Sequence, residues 1–146
     1  VGALLSSASG AVALEGAKMG YKSIALSAPV EADRETLVRV FLAILAQLDL
    51  EHDVRQTLNI NVPALPWEEI RGVKWVSQGH AMWLGEYEER TSPMGRRYFW
   101  STHEDGYALE PGDSDRSLLL EGYVTVTPLA YEMTDWEGFS KKEFAL

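Results

Sequence analysis

The side chains best placed for chemistry are the small polar ones at Ser7-Ala8-Ser9-Gly10. They stand just ahead of a run of helix formers, Ala11-Val12-Ala13-Leu14-Glu15-Gly16-Ala17-Lys18-Met19, that ends at Gly20. Serine hydroxyls and amides converging on a helix N-terminus meet unpaired N–H groups and the positive end of the dipole, which favour an anion such as phosphate. Ser7, Ser9 and Gly10 are the candidate phosphate-binding residues on this reading. Plain helix capping uses the same residue types and, on residues alone, is the commoner arrangement. Other chemistry has less support. His52, His80 and His103 are scattered and form no His-x-x-x-His or His-Glu pattern, so a zinc site is disfavoured. There is no Gly-x-Ser-x-Gly elbow, Walker loop or Gly-x-Gly-x-x-Gly fingerprint. The acidic pairs Glu68-Glu69 and Glu88-Glu89 read as solvated charges. Cysteine is absent, which excludes disulfides, thiolate metal sites and cysteine nucleophiles and is compatible with a cytoplasmic setting.

The elements that must position these residues alternate in type. The serine-rich start leads into the first helix, and Ser23-Ile24-Ala25-Leu26-Ser27 reads as a buried strand closed by Pro29. Asp33 can cap a second helix running to about Leu50, with Leu37, Phe41, Ile44, Leu45 and Leu48 on one face. A second strand follows in Leu58-Asn59-Ile60-Asn61-Val62-Pro63. Helix, strand, helix, strand is half of a doubly wound α/β fold. Far downstream, Glu121-Gly122-Tyr123-Val124-Thr125-Val126-Thr127-Pro128-Leu129 repeats the alternation of aliphatic and polar residues, and both segments are expected to stop at their prolines.

Between these strands lies an aromatic stretch interleaved with charges. Ser92-Pro93-Met94-Gly95 is a plausible turn joining Tyr87-Glu88-Glu89-Arg90 to Arg96-Arg97-Tyr98-Phe99-Trp100 in a long hairpin. An exposed hairpin of this kind needs a partner surface, because isolated two-stranded ribbons are marginal in water. Glu104 to Asp115 reads as an acidic loop, followed by a short helical turn that Ser114 or Asp115 could cap. Asp135 to Leu146 reads as a weakly amphipathic helix.

With 146 residues, 46% hydrophobic and 24% charged, the chain suits one compact domain. Within it, residues 1–63 form part of an α/β core, 64–120 a β-rich hairpin region, and 121–146 a return strand and tail. No stretch approaches the roughly 20 uninterrupted apolar residues of a membrane span. The formal charge of −9, from 22 acidic and 13 basic residues, disfavours nucleic-acid polymers and anionic membranes as partners. The chain opens directly on the apolar run Val1-Gly2-Ala3-Leu4-Leu5, which reads as the middle of a protein.

Taken together, these segments resemble the SurE family of metal-dependent 5′/3′-nucleotidases, also called the survival protein SurE phosphatases. Ser7 to Gly16 looks like that family's Ser-Gly-Thr-Val-Gly-Ala-Ala-Met-Glu-Gly helix start, and Ser23 to Ser27 like its following strand. Asn59-Ile60-Asn61-Val62-Pro63 is similar to its Asn-Val-Asn-Val-Pro, and Gln78-Gly79 falls where it has Arg-Gln-Gly. Glu89 to Arg96, with Tyr98 and Trp100, resembles its Asp-Pro-Arg-Gly-Arg region. Asp115 and Glu121 to Leu129 match its Thr-Asp and Gly-Tyr-Val-Ser-Val-Thr-Pro-Leu pattern.

The resemblance implies a partial Rossmann-type layered α/β sheet, a projecting β-hairpin and a C-terminal segment that join subunits into homodimers or homotetramers. It also implies hydrolysis of nucleoside 5′- or 3′-monophosphates with a divalent cation, Mg or Mn. In the family the cation is held by an Asp-Asp-Gly motif, a serine and an asparagine that precede the serine-rich helix start. Nothing in this chain matches those positions, so it is expected to be the C-terminal portion of such an enzyme, without metal ligands of its own and inactive alone. Ser7, with Ser9 in the threonine position, is then the phosphate-side remnant of the site. Ala8 replaces the family's glycine, and Gly10 and Val12 exchange its Val and Gly. The alternative functions are a noncatalytic oligomerisation or partner-binding module of the same fold, and an unrelated α+β binding domain.

Overall fold

A computed structural model of the chain describes residues 8–54, 57–79, 86–102 and 112–132. Among these residues nine principal elements follow one another: α1 Ala8–Lys18, β1 Ser23–Ser27, α2 Arg34–Leu45, β2 Thr57–Asn61, β3 Val73–Trp75, β4 Glu86–Thr91, β5 Arg97–Thr102, α3 Asp115–Leu120 and β6 Val124–Leu129. Four strands form a mixed sheet in the order β1-β2-β6-β3. The parallel pair β1 and β2 is connected through α2, as the alternation of elements requires. The return strand β6 lies antiparallel to β2, and β3 lies parallel to β6. Residues 64–120 therefore divide: β3 joins the main sheet, whereas β4 and β5 pair with each other in a second sheet that is two-stranded among the described residues.

Local chemistry sets the helix ends. α1 begins at Ala8, earlier than the expected start after Gly10, so Ser9 and Gly10 belong to its first turn. It ends at Gly20, where φ is +88°; the amides of Gly20 and Tyr21 return to the carbonyls of Ala17 and Gly16. Glycine adopts that backbone without the steric cost of a Cβ. α2 is capped by Asp33, whose carboxylate accepts from the Thr36 amide at 2.8 Å. The helix stops at Leu45 rather than near Leu50. The Asp49 amide, which a continued helix would direct to the Leu45 carbonyl, donates instead to the Asp53 carboxylate at 2.8 Å. Leu48 still packs against the core, but from the turn.

The two faces of the main sheet differ in chemistry because side chains alternate along each strand. Toward α2, buried Leu58, Ile60, Val62, Val124 and Val126 pack with Val40, Ile44 and Val54, flanked by Ile24 and Leu26. The intervening residues, Ser23, Ala25 and Ser27 on β1, Thr57, Asn59 and Asn61 on β2, and Thr125 and Thr127 on β6, occupy the opposite face. α1 packs on β1 and β2 there. It lies close: a Cβ added at Gly16 would stand 2.6 Å from Ser23 Oγ. The Thr57 hydroxyl donates to the Ala13 carbonyl at 3.2 Å. β6 does not stop at its proline but continues through Pro128 to Leu129. This is tolerated because β3 pairs only with Val124 to Val126, so the residue lacking an N–H falls beyond the end of that ladder.

The hairpin matches its sequence expectation closely. Glu86 pairs with Thr102 and Thr91 with Arg97, around a turn in which the Ser92 carbonyl accepts from Gly95 and the Ser92 amide donates to Arg96. Gly95 has φ +76°. Tyr87, Phe99 and Trp100 are 69%, 65% and 54% exposed. Arg90 is held between Glu88, at 2.7 Å, and the ring of Trp100, at 5.3 Å from its centroid. α3 starts at a reciprocal capping box between Ser114 and Ser117. The expected tail helix, Asp135 to Leu146, and most of the acidic loop lie outside the described residues. Among the described residues no helix is long and apolar enough to cross a membrane.

Two threonines on the α1 face differ in one respect. Thr57 donates to α1, whereas the buried Thr127 hydroxyl has no partner. Thr57→Val is expected to cost about 1 kcal/mol in urea unfolding, and Thr127→Val to be neutral or stabilising by up to ~1 kcal/mol. The same substitution thus lowers the midpoint at Thr57 and does not lower it at Thr127. At the start of α2, the hydrogen bond from the Thr36 amide holds the Asp33 carboxyl below its ordinary value. A depressed folded-state pKa gives stability that is present above the unfolded carboxylate value, near 4, and lost as pH falls through the folded value. Asp33→Ala should therefore lower Tm at pH 7, with the difference from the parent shrinking in acid. Asp33→Asn should keep most of the cap and lose that pH dependence.

Candidate functional site

The parallel strands β1 and β2 end at Ser27 and Asn61, and α1 runs back across the same face so that its first turn sits at this end. The anchor is direct: Ser9 Oγ lies 2.9 Å from Ser27 Oγ. Crevices outside the carboxyl ends of parallel strands are where open α/β sheets bind ligands. Here the positive end of an 11-residue helix contributes a field that favours negative charge. Of the three residues expected to hold phosphate, Ser9 is exposed and Gly10 buried within this first turn, and Ser7 lies outside the described residues.

The fold brings to this end Ser27 and Asn61, which the sequence reading placed in family-like strand segments but did not assign to the phosphate site. Ser27 is register partner to Asn61, and Asn61 to Thr125, so the three share one row of the α1 face. Asn61 and Thr125 are essentially fully buried, at 1% and 0% exposure. Among the described residues neither the amide nitrogen nor the amide oxygen of Asn61 has a hydrogen-bond partner, and the Thr125 hydroxyl has none either. Buried polar atoms of this kind are uncommon and call for a reason. In the sequence, Ser27 closes a strand and Asn61 belongs to the Asn59-Ile60-Asn61-Val62-Pro63 motif; that they lie at the same end as Ser9 depends on strand order and register.

Other titratable groups serve the framework. Asp115 is buried, and its Oδ1 accepts from the Gly79 and Arg116 amides, both at 2.8 Å. It thereby fixes the loop after β3. Glu88 pairs with Arg90, and His52 Nδ1 lies 2.6 Å from Asp49; His80 and His103 are outside the described residues. A cleft of about 420 Å³ beside the start of α2 is lined by Glu31, Asp33, Glu35, Arg39 and Trp67 among others. Its carboxylates disfavour phosphate, and its arginine is engaged 4.0 Å above the Trp67 ring.

The described residues do not fit a divalent cation. Mg and Mn favour carboxylate oxygens, and among the described residues no three His, Cys, Asp or Glu side chains come together in a way that could hold a metal ion. The neutral hydroxyls and carboxamide around Ser9, Ser27 and Asn61 suit an oxyanion instead. The chemistry legible in these residues is binding and orientation of a negatively charged group.

A 5′-nucleotidase SurE from Nitratidesulfovibrio vulgaris is 38% identical over 142 residues, covering 94% of this chain and 56% of that protein. A 5′-nucleotidase SurE from Petrotoga mobilis is 36% identical over 140 residues, with 92% and 54% covered. The crystal structure of the SurE protein from Aquifex aeolicus superposes with a TM-score of 0.75 at 31% identity, over 90% of this chain and 54% of that one. The chain thus spans about half the length of the relatives it matches. The family model described as Survival protein SurE matches residues 2–85, more than half of the sequence, and the chain belongs to the SurE family.

Proposed function

We propose that this chain is the phosphate-side portion of a metal-dependent phosphatase that hydrolyses nucleoside 5′- or 3′-monophosphates to nucleoside and phosphate. The observation that carries this is the meeting of Ser9 with Ser27 at the start of α1 and the carboxyl end of the parallel strands, in a chain of the SurE family. Relatives named 5′-nucleotidase support the substrate class. Ser7, Ser9 and Gly10 bind the phosphate. Hydroxyls and the helix dipole hold its oxygens and orient the ester, while the cysteine-free composition suits a cytoplasmic enzyme.

The family resemblance calls for Mg or Mn, held by an Asp-Asp-Gly motif with a serine and an asparagine. We propose that this motif lies in a preceding part of a longer protein. The 146-residue chain by itself is then expected to release no phosphate from a nucleoside monophosphate, with either cation present, above the uncatalysed background. A malachite-green assay with Mg or Mn titrated in tests this; metal-dependent release by this chain would overturn the division of the site.

Assembly follows from the hairpin. Tyr87, Phe99 and Trp100 expose a large apolar surface on a ribbon that would be marginal alone. We propose that β4 and β5 form an intersubunit arm and that the longer protein is a homodimer or homotetramer. Sedimentation should give a dimer or larger species, and deletion of Glu89 to Tyr98 should give monomers. A monomeric parent protein would reject the arm.

A further inference from the structure

Asn61 stands out among the buried polar groups because all of its hydrogen-bonding capacity is unused. Its carboxamide has a donor nitrogen and an acceptor oxygen, both buried and both without partners among the described residues. Such a group costs stability compared with a paired one. It sits next to Ser27 on the α1 face, one strand over in register, and Ser27 meets Ser9 hydroxyl to hydroxyl at 2.9 Å. Adjacent strands lie about 4.8 Å apart, so rotation of the Asn61 and Ser27 side chains can close the gap between them without backbone movement.

We propose that Asn61 is a positioning residue for the phosphate site, acting through Ser27 and Ser9. The inference rests on the assignment of phosphate to the first turn of α1. A hydroxyl pair has no fixed direction: either oxygen can donate. Phosphate oxygens at neutral pH act chiefly as acceptors, so the site requires Ser9 to donate outward and to accept from behind. When Ser27 donates to Ser9, its own oxygen is left to be satisfied by a donor. The Asn61 Nδ2 group is that donor. When phosphate binds, the chain runs in one direction: Asn61 N–H to Ser27 Oγ, Ser27 O–H to Ser9 Oγ, and Ser9 O–H to the phosphate oxygen. No covalent step is involved. Thr125, the partner of Asn61 on β6 and likewise unpaired, is the neighbour able to donate to the Asn61 carbonyl oxygen and hold the carboxamide with its nitrogen toward Ser27.

The experiment is a titration of the 146-residue chain with inorganic phosphate, followed by amide NMR and calorimetry. The expected result is that phosphate shifts the Ser9 and Gly10 backbone amides and, together with them, the side-chain NH₂ pair of Asn61. This reading needs no variant, so it stands even if substitution of a buried Asn impairs folding. Asn61→Ala should weaken phosphate binding roughly tenfold, the scale of losing one hydrogen bond in a chain that ends on a charge. Asn61→Asp, which replaces the donor by an acceptor, should weaken it at least as much. In a Ser27→Ala background the Asn61→Ala change should cost less than about twofold more, because the route is already broken; a residue that merely filled the core would give additive losses instead. Shifts at Ser9 and Gly10 with an unmoved Asn61 NH₂ pair, or additive losses, would overturn the positioning role and leave the phosphate site intact. Absence of any shift at Ser9 and Gly10 would overturn the phosphate assignment and the role of Asn61 with it.

Discussion

The strand β2 is buried at every position from Thr57 to Asn61, and the rest of the structure depends on that two-sided burial. Leu58 and Ile60 must meet apolar partners, which α2, Val54 and β6 supply. Thr57, Asn59 and Asn61 must be covered on the other face, and α1 lies over that side. A slip of one residue in register would exchange the two sets, placing three polar side chains in the α2 core and two aliphatic ones under α1. β1 and β6 obey the same alternation, so the three strands lock each other's register.

The polar face sets α1 at a fixed height and direction. Gly16 permits close approach to Ser23, Thr57 ties Ala13 to β2, and Ser27 meets Ser9 at the far end. These three contacts run along the helix in order, so the first turn of α1 is delivered to the carboxyl end of the parallel strands with little freedom. The position matters because the chain is strongly acidic overall, at −9. Anion binding in such a protein has to come from local donors and the helix dipole rather than from the net field. The acidic cleft at the start of α2 lies on the wrong side of this balance, with its only lining arginine stacked on Trp67.

Much of the fold was legible because local rules are strong where they apply. Asp33 as a cap, Gly20 as a stop, Ser92 to Gly95 as a turn and the alternation in Leu58 to Val62 each state a backbone preference within a few residues. The boundaries that moved did so for reasons outside those windows. α2 ended early where the Asp53 carboxylate takes the Asp49 amide, and β6 ran through Pro128 because its neighbour β3 is short. Strand order was not legible: nothing in the linear pattern says that the last strand inserts between β2 and β3 and runs antiparallel to β2.

The sequence by itself determined the element types, the amphipathic partition of each strand and, through several ordered motifs, membership in the SurE family. It also nominated Ser9 and Gly10, because a helix start rich in small polar residues carries its own electrostatic signature. Tertiary structure alone decided that Ser27 completes that end and that Asn61 lies beside it with its amide unpaired. Those residues are 18 and 52 positions away from Ser9 in the chain, and they become neighbours only through the parallel pairing of β1 with β2 beneath α1. Periodicity reports which face a side chain occupies; pairing and register decide what it meets there.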